Sequence, residues 1–232
     1  NTIFCLQEVS NKQLASLHNF LSKYKYKFVN VNELAILFPY EKFIINNVEL
    51  GLIYDELRDM IPSKHHKLLN SKKKHYIILS LSDINKKRSF TIATTHLIAS
   101  PELNDLKLLQ IYCILKKLDK YNNIILAGDF NSKPDSDVYK LITSKPLKNE
   151  LGTFKTKKKY KVTHESNLIT THTKNLNSDV FTATIDYIVV QDNIVVEKTS
   201  KLYDISKYNE KNLAPNISES SDHFMISAYI HL

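Results

Sequence analysis

The sequence has only three glycines, Gly51, Gly128 and Gly152, and two cysteines, Cys5 and Cys113, in 232 residues. Three scattered glycines supply no Gly-rich loop to cradle a nucleotide's phosphates, which argues against nucleoside-triphosphate hydrolysis of the P-loop kind. Each cysteine sits inside an apolar segment and reads as a small core residue rather than half of a disulfide or a metal clip, in keeping with a reducing compartment. No paired Cys-x-x-Cys and no His-Glu-x-x-His spacing occurs, so soft-metal sites are disfavoured. No apolar run approaches the roughly 20 residues of a membrane helix, and no membrane partner is expected. Arginine is also scarce, with Arg58 and Arg88 the only two. The net charge of +8 is therefore carried by lysine. It fits a nucleic-acid partner and a Lys-rich solvated surface equally well.

What is present is a series of short β-branched runs. Residues 2–7, 34–38, 76–81, 90–97, 123–127, 185–190 and 224–230 read as strands. Between them lie helical patterns. Ser10 and Gln13 stand at capping-box spacing ahead of Leu14, Leu17 and Leu21. Over residues 104–120, Leu106, Leu109, Cys113 and Leu118 form an apolar stripe, with Lys107, Lys116, Lys117 and Lys120 expected outside. A third helix is expected over 135–143. Residues 59–74 and 147–184 read as surface loops, the second with a solvated Lys run at 155–161. No internal repeat and no Pro/Gly/Ser linker divides the chain, so one domain of mixed α/β (α+β) class is expected.

The polar residues that interrupt strand ends carry the chemical signal. Glu8 follows the first apolar run, His96 the fourth and Asp129 and Asn131 the fifth, while Asp186 enters the sixth and Ser221-Asp222-His223 precedes the last. A carboxylate at the end of a buried strand costs desolvation unless it is paired or metal-bound. Five such interruptions point to one polar site at a sheet rim. Oxygen donors such as Glu8 suit Mg²⁺, which keeps positions open for water and phosphate. Metal-assisted phosphodiester hydrolysis is the chemistry these side chains share.

Leu6-Gln7-Glu8, Thr95-His96-Leu97, Gly128-Asp129-Phe130-Asn131-Ser132, Ile185-Asp186-Tyr187-Ile188 and Ser221-Asp222-His223 resemble, in order and spacing, the motifs of the endonuclease/exonuclease/phosphatase superfamily. The stretch from Thr95 through Leu106-Lys107-Leu108-Leu109-Gln110 to Ser136 resembles its nocturnin and carbon-catabolite-repression deadenylase group. Leu34-Ala35-Ile36-Leu37-Phe38 and Leu213-Ala214-Pro215 lean toward a 2′,5′-phosphodiesterase branch. The resemblance implies a four-layer sandwich of two β-sheets flanked by helices, with the site at one rim. It makes Glu8 the Mg²⁺ ligand (Mn²⁺ as the alternative), with Asp222 supporting the metal side. Asp129 becomes the residue that orients or deprotonates the attacking water, and Asn131 the amide that positions nucleophile and phosphate. It places His223 beside the phosphate, held by Asp186, and has His96 contact phosphate. Pro101 and Phe181 match positions where relatives sandwich a base.

The activity so implied is 3′ exonucleolytic trimming of single-stranded RNA, poly(A) or 2′,5′-oligoadenylate, with release of 5′-AMP. The alternatives are another phosphoester, such as a dinucleotide phosphate, abasic DNA or a phosphoinositide, and a catalytically silent RNA-binding module. An intracellular location, cytoplasmic or mitochondrial, is expected. Relatives of this kind carry a strand ahead of the glutamate strand, and this sequence opens on the glutamate strand itself. The expectation is therefore a domain lacking its first strand, a native protein extending upstream, and low stability or activity for the 232-residue piece alone. His18, His65, His66, His75, His164, His172 and His231 read as surface residues.

Overall fold

The computed structural model describes residues 2–58, 66–67, 70, 72–143, 146–174, 179–201, 213–215 and 221–232. Two sheets dominate. The smaller joins β1 (Phe4–Leu6), β3 (Leu34–Pro39) and β2 (Tyr26–Val31), all antiparallel, in the order β1-β3-β2. The larger has six strands in the order β10-β13-β7-β6-β5-β4, built from β4 (Phe43–Leu52), β5 (His75–Asp83), β6 (Ser89–His96), β7 (Ile124–Asp129), β10 (Tyr160–Val162) and β13 (Asp186–Gln191). Its β6–β7 pair is parallel. Antiparallel strands can join through short turns, but a parallel pair needs a crossover. Here that crossover is α4 (Asn104–Leu118), which runs between the two strands in sequence.

The alternation of side chains along each strand sorts the apolar residues into layers. In β3, Leu34, Ile36 and Phe38 meet Ile77, Leu79, Leu81, Phe90, Ile92 and Ile125 in a core between the sheets. The intervening Ala35 and Leu37 face outward onto Leu14 of α1 (Asn11–Ser16) and Leu21 of α2 (His18–Lys23). On the other face of the large sheet, Tyr76, Ile78, Ala93, Ile124 and Leu126 pack on α3 (Ile53–Leu57), α4 and α5 (Asp137–Thr143). Three cores separate four layers, helices–sheet–sheet–helices, as the sandwich requires. Because β3 is buried on both faces, it reads as a continuous apolar run.

The capping box forms as the sequence specifies: Gln13 N–H donates to Ser10 Oγ, and the Gln13 side chain returns to Ser10. Other expectations need correction. Residues 147–184 are not a plain loop. They contain β8 (Leu147–Asn149), β9 (Gly152–Phe154), β10, β11 (Thr171–Thr173) and β12 (Phe181–Ala183), strands of three residues each, too short to show a period. The last run narrows to β15 (Ala228–His231), paired with β14 (Val195–Thr199). Lys107, expected on the outer face of its helix, is buried, because α4 is covered on nearly all sides. His164 and His172 are buried as well. Most of the 59–74 loop, His65 included, lies outside the described residues. Both cysteines are free, and burial pushes the Cys5 thiol up to about 12. No helix among the described residues is long and apolar enough to cross a membrane.

Candidate active site

Strand register assembles the site. β6 and β7 run parallel with His96 opposite Asp129, and β13 runs antiparallel to β7 with Asp186 opposite the same Asp129. Three strand-end residues far apart in the chain thus become one row across three neighbouring strands. The backbones come close here, since a Cβ on Gly128 would stand 2.0 Å from the Thr95 carbonyl oxygen. Only glycine fits that position. The chain then turns sharply at Asn131, whose φ of 47° is left-handed, a conformation asparagine tolerates better than most residues. In that turn Asn131 N–H donates to Asp129 Oδ1 at 2.7 Å, and Asn131 Nδ2 donates to Asp129 Oδ2 and to the Leu97 carbonyl, each at 3.1 Å.

His223 arrives from the C-terminal segment, docked by a β-bridge to Thr171 and by Thr171 Oγ1 donating to the Asp222 carbonyl. Its Nδ1 lies 2.8 Å from Asp186 Oδ2, and its Nε2 3.9 Å from Asp129 Oδ2. Burial alone would lower the His223 pKa. Hydrogen bonding to Asp186 and the charges of Asp186, Asp129 and Asp222 outweigh it and raise the imidazole to about 9. Asp129 moves the other way from an ordinary acid. Burial first, and then the charge of Asp186, raise its carboxyl to about 7 against the lowering by His96, His223 and the Asn131 N–H. Asp186 is braced from behind, with the backbone N–H groups of Ile185 and Asp186 both donating to the buried Thr170 Oγ1.

Glu8 closes the opposite side. Its φ of 57° is left-handed, which for glutamate is a strained conformation, and its side chain is 69% exposed with Oε1 3.8 Å from His96 Nε2. His96 itself is buried, with Nε2 3.5 Å from Asp129 Oδ2 and Nδ1 3.1 Å from Glu33 Oε1. Glu33 was not singled out from the sequence. It precedes the buried run of β3, and its backbone carbonyl accepts from Val9 N–H, so it tethers the turn that carries Glu8. Contact with His96 and the Lys74 ammonium at 2.8 Å holds its carboxyl at about 2, against the burial that would raise it. A carboxylate beside a buried strand is the same signal that marked Glu8, placed before the strand rather than after it.

The ligand atoms of Asp129, Asp186 and His223 lie within 4.8 Å of one another. Two carboxylates and one imidazole at this spacing are a donor set that could hold a hard divalent cation. Among the described residues Glu8 approaches this set through His96. Asp222 contributes its charge beside His223 and its backbone carbonyl to Thr171. From Asn131 a cavity of about 530 Å³ extends along the N-terminal end of α4. Pro101 and Phe181 both line it, and Phe181, 44% exposed, has the Lys133 ammonium 5.9 Å from its ring centroid. Phe181 is thus cavity wall rather than core.

Comparison with known proteins agrees with this architecture. The chain is 35% identical over 85 residues to a probable CCR4-Not complex 3′-5′-exoribonuclease subunit Ccr4 of Vairimorpha ceranae, covering 34% of this chain and 18% of that protein. It is 31% identical over 156 residues to carbon catabolite repressor protein 4 homolog 4 of Arabidopsis thaliana, covering 59% of this chain and 36% of that protein. The matched stretches therefore span about a third or less of these relatives' length. Among solved structures, ANGEL2, a 2′,3′-cyclic phosphatase, superposes with a TM-score of 0.80 at 19% identity, covering 98% of this chain and 80% of that one. The human Nocturnin catalytic domain superposes with a TM-score of 0.67 at 21% identity, covering 99% and 80%. With residues 1–223 matching its sequence pattern and the same fold in its solved members, the chain belongs to the Endonuclease/Exonuclease/phosphatase family.

Proposed function

We propose that this chain is a Mg²⁺-dependent phosphodiesterase that removes nucleotides from the 3′ end of single-stranded RNA, with oligo(A) of 3′,5′ or 2′,5′ linkage as substrate and 5′-AMP as product. The observation that carries the proposal is the buried row His96–Asp129–Asp186, with His223 held over it and a base-sized cavity starting at Asn131. Relatives described as 3′-5′-exoribonuclease subunits support the RNA substrate. Glu8, on the exposed side, would hold the metal with Asp222 supporting it, and Mn²⁺ is the alternative ion. When bound, the metal supplies Lewis-acid stabilisation of the charge that develops on phosphate.

The chain's own residues do the rest by placement and electrostatics. Asp129, raised toward neutrality, is matched to accept a proton from water, and Asn131 fixes its carboxylate by two hydrogen bonds. His223 is cationic at neutral pH and faces the nonbridging oxygens, with Asp186 fixing its ring. His96 contacts phosphate from the far side of Asp129. Pro101 and Phe181 enclose the terminal base, and stacking of this kind contributes about 1–3 kcal/mol per base.

The test is a substrate panel with Mg²⁺, Mn²⁺ or EDTA: 3′,5′- and 2′,5′-oligo(A), mixed-sequence RNA, a dinucleotide phosphate, abasic DNA and a phosphoinositide. Release of 5′-AMP from oligo(A), abolished by EDTA and by Asp129→Ala, is the expected result. Cleavage of another panel member alone moves the substrate assignment. Tight RNA binding without any turnover replaces the enzyme by a binding module.

A further inference from the structure

Lys107 is a charged side chain buried in the apolar part of α4. The helix segment around it, Leu106, Leu108, Leu109, Ile111 and Ile114, is apolar core. Lys107 is itself only 2% exposed. A buried ammonium is disfavoured by lost hydration. It is disfavoured again by its position in the first turn of a 15-residue helix, where the dipole repels cations. The direct bond it makes is from Nζ to the backbone carbonyl oxygen of Asn131, at 2.8 Å. A residue placed against both penalties, where leucine or methionine would pack, needs a reason outside stability.

That reason lies in its acceptor. The Asn131 carbonyl belongs to the left-handed turn whose amide groups grip both oxygens of Asp129. The next carbonyl along, that of Ser132, accepts from the buried Tyr187 hydroxyl at 2.7 Å. Lys107 and Tyr187 thus hold two consecutive carbonyls from opposite flanks, one from the helix and one from β13. The carboxylates acting on the Lys107 charge are those of Asp129 and Glu102. Its side chain also lines the cavity, beside Pro101 and Asn131.

We propose that Lys107 is a positioning residue for the phosphodiesterase reaction, an ammonium clamp that keeps Asn131 in the left-handed turn and so aims the Asn131 amide at Asp129. This rests on the proposed activity for its kinetic consequence but not for its structural one. In Lys107→Met the apolar stem is kept and the clamp removed. The expected result is a kcat lower by about 10- to 100-fold, the scale of a small misplacement of catalytic groups. KM should change by less than about 3-fold, and Tm should be unchanged or raised because the desolvation penalty is gone. Lys107→Arg, which keeps a donor, recovers part of the rate.

In an Asn131→Ala background, where the backbone N–H still reaches Asp129 Oδ1, Lys107→Met should cost less than in the parent, since one acts through the other. An unchanged kcat in Lys107→Met, a loss carried in KM, or full additivity with Asn131→Ala overturns the proposal. A crystal structure of Lys107→Met gives a readout that needs no turnover. Asn131 leaving the left-handed region supports the clamp, and Asn131 unmoved refutes it even where the substrate panel yields no activity. If neither Lys107→Met nor Lys107→Gln folds, the ammonium is required for stability and Lys107 is not a positioning residue.

Discussion

Asp186→Asn isolates the electrostatics of the site from its chemistry. The Asp186 carboxylate bonds His223 Nδ1 at 2.8 Å, and the ring titrates at about 9 against an ordinary 6.5. A displacement of that size corresponds to ~3 kcal/mol of preference for the imidazolium. Screening at a side chain 29% exposed reduces the usable part to about 2 kcal/mol. Asparagine keeps the shape and the acceptor but removes the charge, so burial, the largest single influence and a lowering one, gains weight. The assay is NMR titration of the imidazole resonances in metal-free protein. His223 should fall from about 9 toward 6.5 in the variant. Because the folded pKa is raised above the unfolded one, the stabilisation is fully present below 6.5 and is lost as pH rises through about 9. The variant should therefore be less stable than the parent by about 2 kcal/mol at pH 6, with the gap closing as pH rises through about 9. A fall of less than about one pH unit, or a stability gap that widens with pH, would refute this account.

Asp129→Asn should cut kcat by at least about 10³-fold, the loss of a positioned base, while RNA binding by filter assay persists. Its melting temperature should hold or rise, because repulsion with Asp186 disappears. Gly128→Ala places a Cβ 2.0 Å from the Thr95 carbonyl oxygen, so β6 and β7 must part, and urea unfolding should show a loss of at least about 2 kcal/mol. Phe181→Ala should raise KM for oligo(A) by about 5- to 100-fold, as the loss of 1–3 kcal/mol of stacking requires. Little change in kcat is expected, and an unchanged KM would remove Phe181 from the base site.

How far the sequence reaches can be traced residue by residue. Short apolar runs bounded by Glu8, His96, Asp129, Asp186 and His223 pointed to strands and a polar sheet rim, because polar groups at the ends of buried strands are costly. The capping box at Ser10 and Gln13 was equally legible, being a local hydrogen-bond pattern. Strands of three residues in 147–184 were not, since two or three alternating positions define no period. Lys107 was hidden for a different reason. A lysine in an amphipathic pattern reads as solvated, and only the packing of α4 against sheet and neighbouring helices shows that its face is enclosed.

Register is likewise beyond composition. That His96, Asp129 and Asp186 stand in one row follows from which strands pair and with what offset, and a shift of one residue would send the side chains to the other face. The sequence by itself determined the kinds of groups available, their order and the cost of burying them. The tertiary structure alone decided which of them meet, and so which carboxylate is crowded, which imidazole is charged and which lysine is buried against the site.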